Sequence, residues 1–168
     1  MKFKDFEFTE DNHFVAMEYY NLILNRTYLV VIVKDKLLGI KANGLVSVEG
    51  GGDILTKKVT KMMAIEGDLS NPYSYLSAKY VDKIQECELE SEEVLAYDKS
   101  NFILPLAHIR KVSHDPKKKW GMGYYPHDGK VYVETSDKKK KEFIILGSQS
   151  GSKIANFILA KLKGDRNE

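Results

Sequence analysis

The spacing of apolar positions changes character twice along the chain. Over the first dozen residues Phe3, Phe6 and Phe8 alternate with charge, which suits a strand or an arm lying on the surface. Residues 14–24 carry apolar side chains at both helical and strand spacings. Residues 26–33 are plainer, because the run Tyr28-Leu29-Val30-Val31-Ile32-Val33 is rich in the β-branched residues that favour a strand. Lys34-Asp35-Lys36 then reads as a turn and residues 37–41 as the returning strand. Asn43-Gly44, both tolerant of positive φ, marks its end.

The middle of the chain shifts to a helical period. Gly50-Gly51-Gly52 is a flexible break, and Asp53 is an N-cap for a helix to Ile65 with Leu55, Val59, Met62 and Met63 on one face. Asn71-Pro72 starts a second helix, cap then proline, whose face is Tyr73, Leu76, Tyr80 and Ile84. Strand character resumes at residues 94–97 and 101–109, where Pro105 requires an edge position or a bulge. Val131 and Val133 face one way and Tyr132 and Glu134 the other in a hairpin of residues 130–136 with 142–146. Ile154, Ile158 and Leu162, with Phe157 beside them, make the stripe of a closing amphipathic helix over 152–163. A strand meander finished by one helix predicts a small barrel plugged at one end.

Length and charge narrow the class. The chain has 168 residues, enough for one domain with a real core, and combines 43% hydrophobic with 30% charged residues, so it is globular. A net charge of +2 argues against a dedicated polyanion binder such as a nucleic-acid protein. One cysteine, Cys87, excludes an internal disulfide and fits a reducing compartment. No signal-peptide h-region is visible, and the longest apolar stretch is strand-sized, far below the roughly 20 residues of a membrane-spanning helix. The expected location is the cytoplasm.

The order of these elements carries a resemblance. The run Tyr97-Asp98-Lys99-Ser100-Asn101-Phe102-Ile103-Leu104-Pro105-Leu106-Ala107-His108-Ile109-Arg110-Lys111-Val112 resembles the strand-then-I-P-L-x-x-I-x-x-V segment of bacterial pleckstrin-homology-like domains. The first hairpin is similar to the V-x-x-x-x-x-L-L-G strands of that group and of GRAM-type domains. The resemblance implies an α+β fold: a PH-like barrel of about seven antiparallel strands with a C-terminal capping helix, as a single domain spanning 1–168. Residues 45–90 would then be a helical insertion, its two helices lying at about 53–86. The crowded basic signature of lipid-binding relatives is missing from the first hairpin, where Arg26, Lys34, Lys36 and Lys41 are dispersed, so phosphoinositide binding is not carried over.

The candidate chemistry is charge. Between Arg110 and Lys141 there are ten Lys or Arg and four acids, an excess of +6 that leaves −4 for the rest. The candidate contact surface is Lys117, Lys118, Lys119, Trp120, Tyr124 and Tyr125 in one loop, with Lys138, Lys139, Lys140 and Lys141 in the next. Basic loops with an aromatic can grip an acidic partner or an anionic membrane, each cation near a membrane contributing about 1 kcal/mol. They can equally keep β-edges solvated and unpaired. No metal or cofactor site is expected: His13, His108, His114 and His127 show no ligand spacing, and Gly50-Gly51-Gly52-Asp53 lacks the residues of a phosphate loop. Cys87 lies between Glu86 and Glu88, which disfavour a thiolate. The acids Glu86, Glu88, Glu90, Glu92 and Glu93 read as a solvated connection. These features describe a non-enzymatic binding or scaffolding module of a bacterial cytoplasmic protein, with a protein partner or a homo-oligomer. Two readings stand beside it: an anionic-membrane domain, which needs both basic loops on one face, and a small-molecule binder or enzyme with a cleft between the inserted helices and the barrel.

Overall fold

The computed structural model describes residues 1–19, 24–47, 78–118 and 127–164. Seven strands form one antiparallel sheet: β1 (His13–Tyr19), β2 (Leu24–Val33), β3 (Lys36–Ser47), β4 (Phe102–Pro105), β5 (Ile109–Asp115), β6 (His127–Thr135) and β7 (Lys140–Leu146). The helices are α1 (Ala78–Ile84), α2 (Glu93–Tyr97) and α3 (Gly151–Gly164). The strand order is β4-β3-β2-β1-β7-β6-β5.

Chain connectivity forces this sheet to curl. Its two edges, β4 and β5, are joined only by the 3-10 turn Leu106–His108. Laid flat, seven strands would hold those edges about 29 Å apart, whereas the link can span at most about 14 Å. The turn is bonded on both sides: Leu106 N–H donates to Asp35 O of the β2–β3 turn at 2.6 Å, and Ser136 N–H of the β6–β7 turn donates to His108 O at 2.8 Å. The result is a half-barrel with α3 laid on it, an α+β fold.

Both faces of the central strands are buried. The inner cluster draws on every strand, with Phe14, Tyr28, Val30, Val131, Val133 and Phe143 prominent, and α3 covers it with Ile154, Ala155, Ile158 and Leu162. The outer face of β1–β3 and the end of β7 carries Val15, Met17, Leu29, Val31, Leu38, Ile40 and Ile144. Phe3, Phe6, Ile84, Cys87, Leu89 and Val94 are packed against it. This explains the unbroken apolar run 28–33, since a strand buried on both faces has no polar side to alternate with. The N-terminal segment is an arm laid on this face through buried Phe3 and Phe6, opened by a 3-10 turn at Phe3–Asp5.

Three expectations are corrected. Residues 94–97 belong to the short helix α2, not to a strand. The turn after it is set by polar side chains: Asp98 Oδ1 accepts Ser100 N–H at 2.8 Å, and Asn101 Nδ2 donates back to Val94 O at 2.7 Å. Asn43-Gly44 does not end β3, which runs on to Ser47; the β2–β3 register slips between Arg26 and Tyr28, and the two residues fall in that irregularity. The stretch 101–109 is not one strand but β4 and the start of β5 around the 3-10 turn, with Pro105 on the sheet edge as its missing N–H requires. The expected helix from Asp53 lies outside the described residues, as does the beginning of the second, whose end is α1.

Candidate functional site: a groove beside an edge strand

A groove of about 410 Å³ separates β4 from the β6–β7 hairpin. Ile103, Leu104 and Pro105 give it an apolar wall, and His108 closes one end. Thr135, Ser136, Asp137, Lys139 and Lys141 form the opposite, polar wall. It lies where the curled sheet stays open, with β4 at one end of the strand order, next to β3, and the β6–β7 turn standing across from it.

The lysines of the hairpin are held in different ways. Lys139 Nζ lies 2.7 Å from Asp137 Oδ2, with both side chains exposed. Asp137 also accepts Thr135 Oγ1–H, and these donors hold its carboxyl well below the usual carboxylate range. Lys141 Nζ is 2.9 Å from Glu18 Oε1 and 3.8 Å above the Phe102 ring, which stacks on Phe143 at the mouth of the barrel. Lys140 lies 3.6 Å over Tyr132 on the outer face. Lys138, at the turn with φ +65°, is exposed.

The described residues of the two basic loops lie at opposite ends of β6. Lys117 and Lys118 are exposed beyond the end of β5, where Asp115 Oδ1 accepts the Lys117 N–H and Asp115 pairs with Lys130 at 3.0 Å. Lys138–Lys141 sit at the other end of β6, about 26 Å away along nine residues of strand. Lys119, Trp120, Tyr124 and Tyr125 lie outside the described residues. Of the described lysines here, Lys141 is paired with an acid from outside the segment, Glu18. The outward-facing row Lys111–Glu134–Lys140 is set across three strands in register, and paired charges of this kind keep a sheet face solvated.

The other candidates resolve into structure. Glu86 binds Lys2 Nζ at 2.7 Å and Lys4 Nζ at 2.5 Å, which pulls its carboxyl down to about 2. Glu90 binds Lys34 at 2.6 Å. The acidic run is thus a clasp on the N-terminal arm rather than a free solvated connection. Burial, then Glu93 and Glu88, pushes the Cys87 thiol up to about 11, which removes it as a nucleophile at neutral pH. Where described, the insertion meets the barrel in solid apolar packing through Ile84, Cys87 and Leu89. No group of three or more His, Cys, Asp or Glu is placed to hold a metal among the described residues, and no helix among them is long and apolar enough to cross a membrane.

Sequence reasoning missed how the end of the barrel beside α3 is pinned. Asp128 Oδ2 accepts Gly151 N–H at 2.7 Å, and the His114 ring nitrogen Nε2 lies 3.0 Å from Asp128 O. It also missed Glu18 as the partner of Lys141 and Ile103 as the edge of the groove, because each depends on strand register. Comparison with family models, with curated proteins and with solved structures finds no match for this chain.

Proposed function

We propose that this chain is a non-enzymatic binding module of a bacterial cytoplasmic protein, built as a pleckstrin-homology-like barrel, that receives an acidic segment of a protein partner in the groove beside β4. The observation that carries the reading is the groove itself: an apolar wall of Ile103, Leu104 and Pro105 facing Lys139 and Lys141. Asp137 keeps bonds from Thr135 Oγ1 and from Lys139 N–H at 3.4 Å, so an incoming carboxylate can share Lys139 without leaving that aspartate bare. Lys138 adds a further exposed cation at the rim. The barrel assignment is supported by the strand order and by the single C-terminal helix on the inner face. The separation of the two basic loops favours a protein segment over a membrane plane.

Titration of the ¹⁵N-labelled chain with an octaglutamate peptide tests this. Saturable shifts confined to Ile103, His108 and residues 135–141, weakened by salt, are expected. Shifts centred on Arg110, Lys111 or Lys117, or equal effects from octalysine, would overturn it.

A further inference from the structure

We propose that the groove is a strand-addition site, in which an extended acidic segment of a partner protein joins the sheet beside β4 and bonds to the backbone of Ile103. The proposal deepens the groove reading above and rests on it.

The lining shows which part of β4 faces the groove. Successive side chains of a strand point to opposite faces, yet Ile103, Leu104 and Pro105 all border the same space. The groove therefore runs along the backbone edge of β4 and not across one of its faces.

Register then identifies the open hydrogen-bonding groups. Lys41, opposite Tyr28 of β2, turns its N–H the other way, to Asn101 Oδ1 at 2.8 Å. Backbone direction alternates along a strand, so Gly39 and Leu37 also point toward β4, where they face Phe102 and Leu104. Pro105, which has no N–H to give, shares its parity with Ile103. The N–H and C=O of Ile103 and the C=O of Pro105 consequently aim away from β3, into the groove. The ladder on either side is closed, Asn101 N–H bonding Asp98 O at 2.9 Å and Leu106 N–H bonding Asp35 O. One donor and two acceptors are left for an added strand.

The two sheet edges are treated differently. The β5 edge is blunted by a register slip between Ile109 and Lys111 and by exposed Arg110 and Lys111, devices that keep edges from pairing. The β4 edge offers Ile103 and Leu104 instead. Facing it are Lys139, Lys141 and His108; Lys141 is already held by Glu18, but Asp137 keeps its Thr135 bond when Lys139 is shared, and Lys138 stands exposed at the rim, so the complementary strand carries carboxylates. A second copy is not the favoured occupant. This chain's own acidic run is spent, with Glu86 on Lys2 and Lys4, Glu90 on Lys34, and Cys87 and Leu89 in the core.

The test uses a fluorescent hexapeptide alternating Glu with Val, a version N-methylated at alternate residues, and a Lys–Val counterpart. Saturable binding of the first is expected, with a downfield shift and slowed exchange of the Ile103 amide. The N-methylated peptide should bind about tenfold more weakly, the loss of one or two backbone hydrogen bonds. Ile103→Pro, which removes the open donor, should weaken the parent peptide by a similar factor, and Lys139→Glu by about fivefold. If Ile103→Pro does not fold, the two peptides on the unaltered chain still decide. Equal binding of the N-methylated peptide would overturn strand addition while leaving the groove reading intact. No binding of either acidic peptide, of octaglutamate included, would remove both. A concentration-dependent dimer that shields Ile103 would assign the edge to a second copy and overturn the proposal.

Discussion

Gln149 takes the place of a strand. The β1–β7 ladder stops at Ala16–Ile145, and beyond it the Val15 N–H donates to Gln149 Oε1 at 2.7 Å while Gln149 Nε2 donates to Val15 O at 2.8 Å. The side chain is buried and also reaches Leu146 O. Gln149→Ala strands these backbone groups out of reach of water, and a buried unpaired group costs about 1–3 kcal/mol. A loss of about 3 kcal/mol in urea unfolding is expected; a loss below about 0.5 kcal/mol would mean that water replaces the amide. Two residues on, Gly151 is fixed by space. A Cβ there would fall 2.6 Å from the His114 ring and 2.8 Å from Asp128 O. Gly151→Ala should therefore destabilise by about 1–3 kcal/mol. Trimming the ring in the double variant Gly151→Ala/His114→Ala should give less than the sum of the two single losses.

At the scale of elements, the clasp between the N-terminal arm and residues 86–90 makes a pH-dependent prediction. The Glu86 carboxyl lies near 2 in the fold against an ordinary 4.5, held down by Lys2 and then Lys4. A depressed carboxylate contributes fully above pH 4.5, and that contribution is lost as pH falls through about 2. Amide exchange at Phe3 and Lys4, whose N–H groups bond Cys87 O and Gln85 O, should accelerate over that window. Glu86→Gln should show the faster exchange at all pH values and lose the acid step; an unchanged acid step would assign it to another carboxylate. The clasp also shows which elements the sequence made legible. β2 was readable from its β-branched run, and the hairpin of β6 and β7 and α3 from spacing that repeats. Residues 94–97 were misread as a strand because a four-residue apolar run has no period, and α2 is set by Asp98 and Asn101 downstream. The groove was legible only as lysines: that Lys141 is spent on Glu18 and that Ile103 faces open space follow from register between strands far apart in sequence.

The whole molecule is a curled sheet covered unequally on its outside, and that inequality is measurable. Strands β3, β2, β1 and the end of β7 are sandwiched between the inner core and the arm-and-insertion layer. Strands β5 and β6 have their outer face in solvent, with Lys111, Glu134 and Lys140 in a cross-strand row and Tyr132 under Lys140. Residues on the two faces of β2 should therefore be equally sensitive, while residues on the two faces of β6 should not. Leu29 faces the outer layer and Ile32 the inner core, and both are buried. Truncating either to Ala removes several packed carbons and should cost about 2–5 kcal/mol. In β6, Val131→Ala should cost about 2 kcal/mol, but its neighbour Tyr132→Ala less than about 1 kcal/mol. Chemical denaturation of the four variants checks the pattern. Were Leu29→Ala to cost no more than Tyr132→Ala, the outer layer would contribute little to the fold, and the unbroken apolar run of β2 would need another cause. If strand addition holds, the same asymmetry accounts for its place: one half of the outer surface is roofed and the β5–β6 half carries the Lys111–Glu134–Lys140 row, which leaves the open backbone of β4 as the edge with the least charge to desolvate.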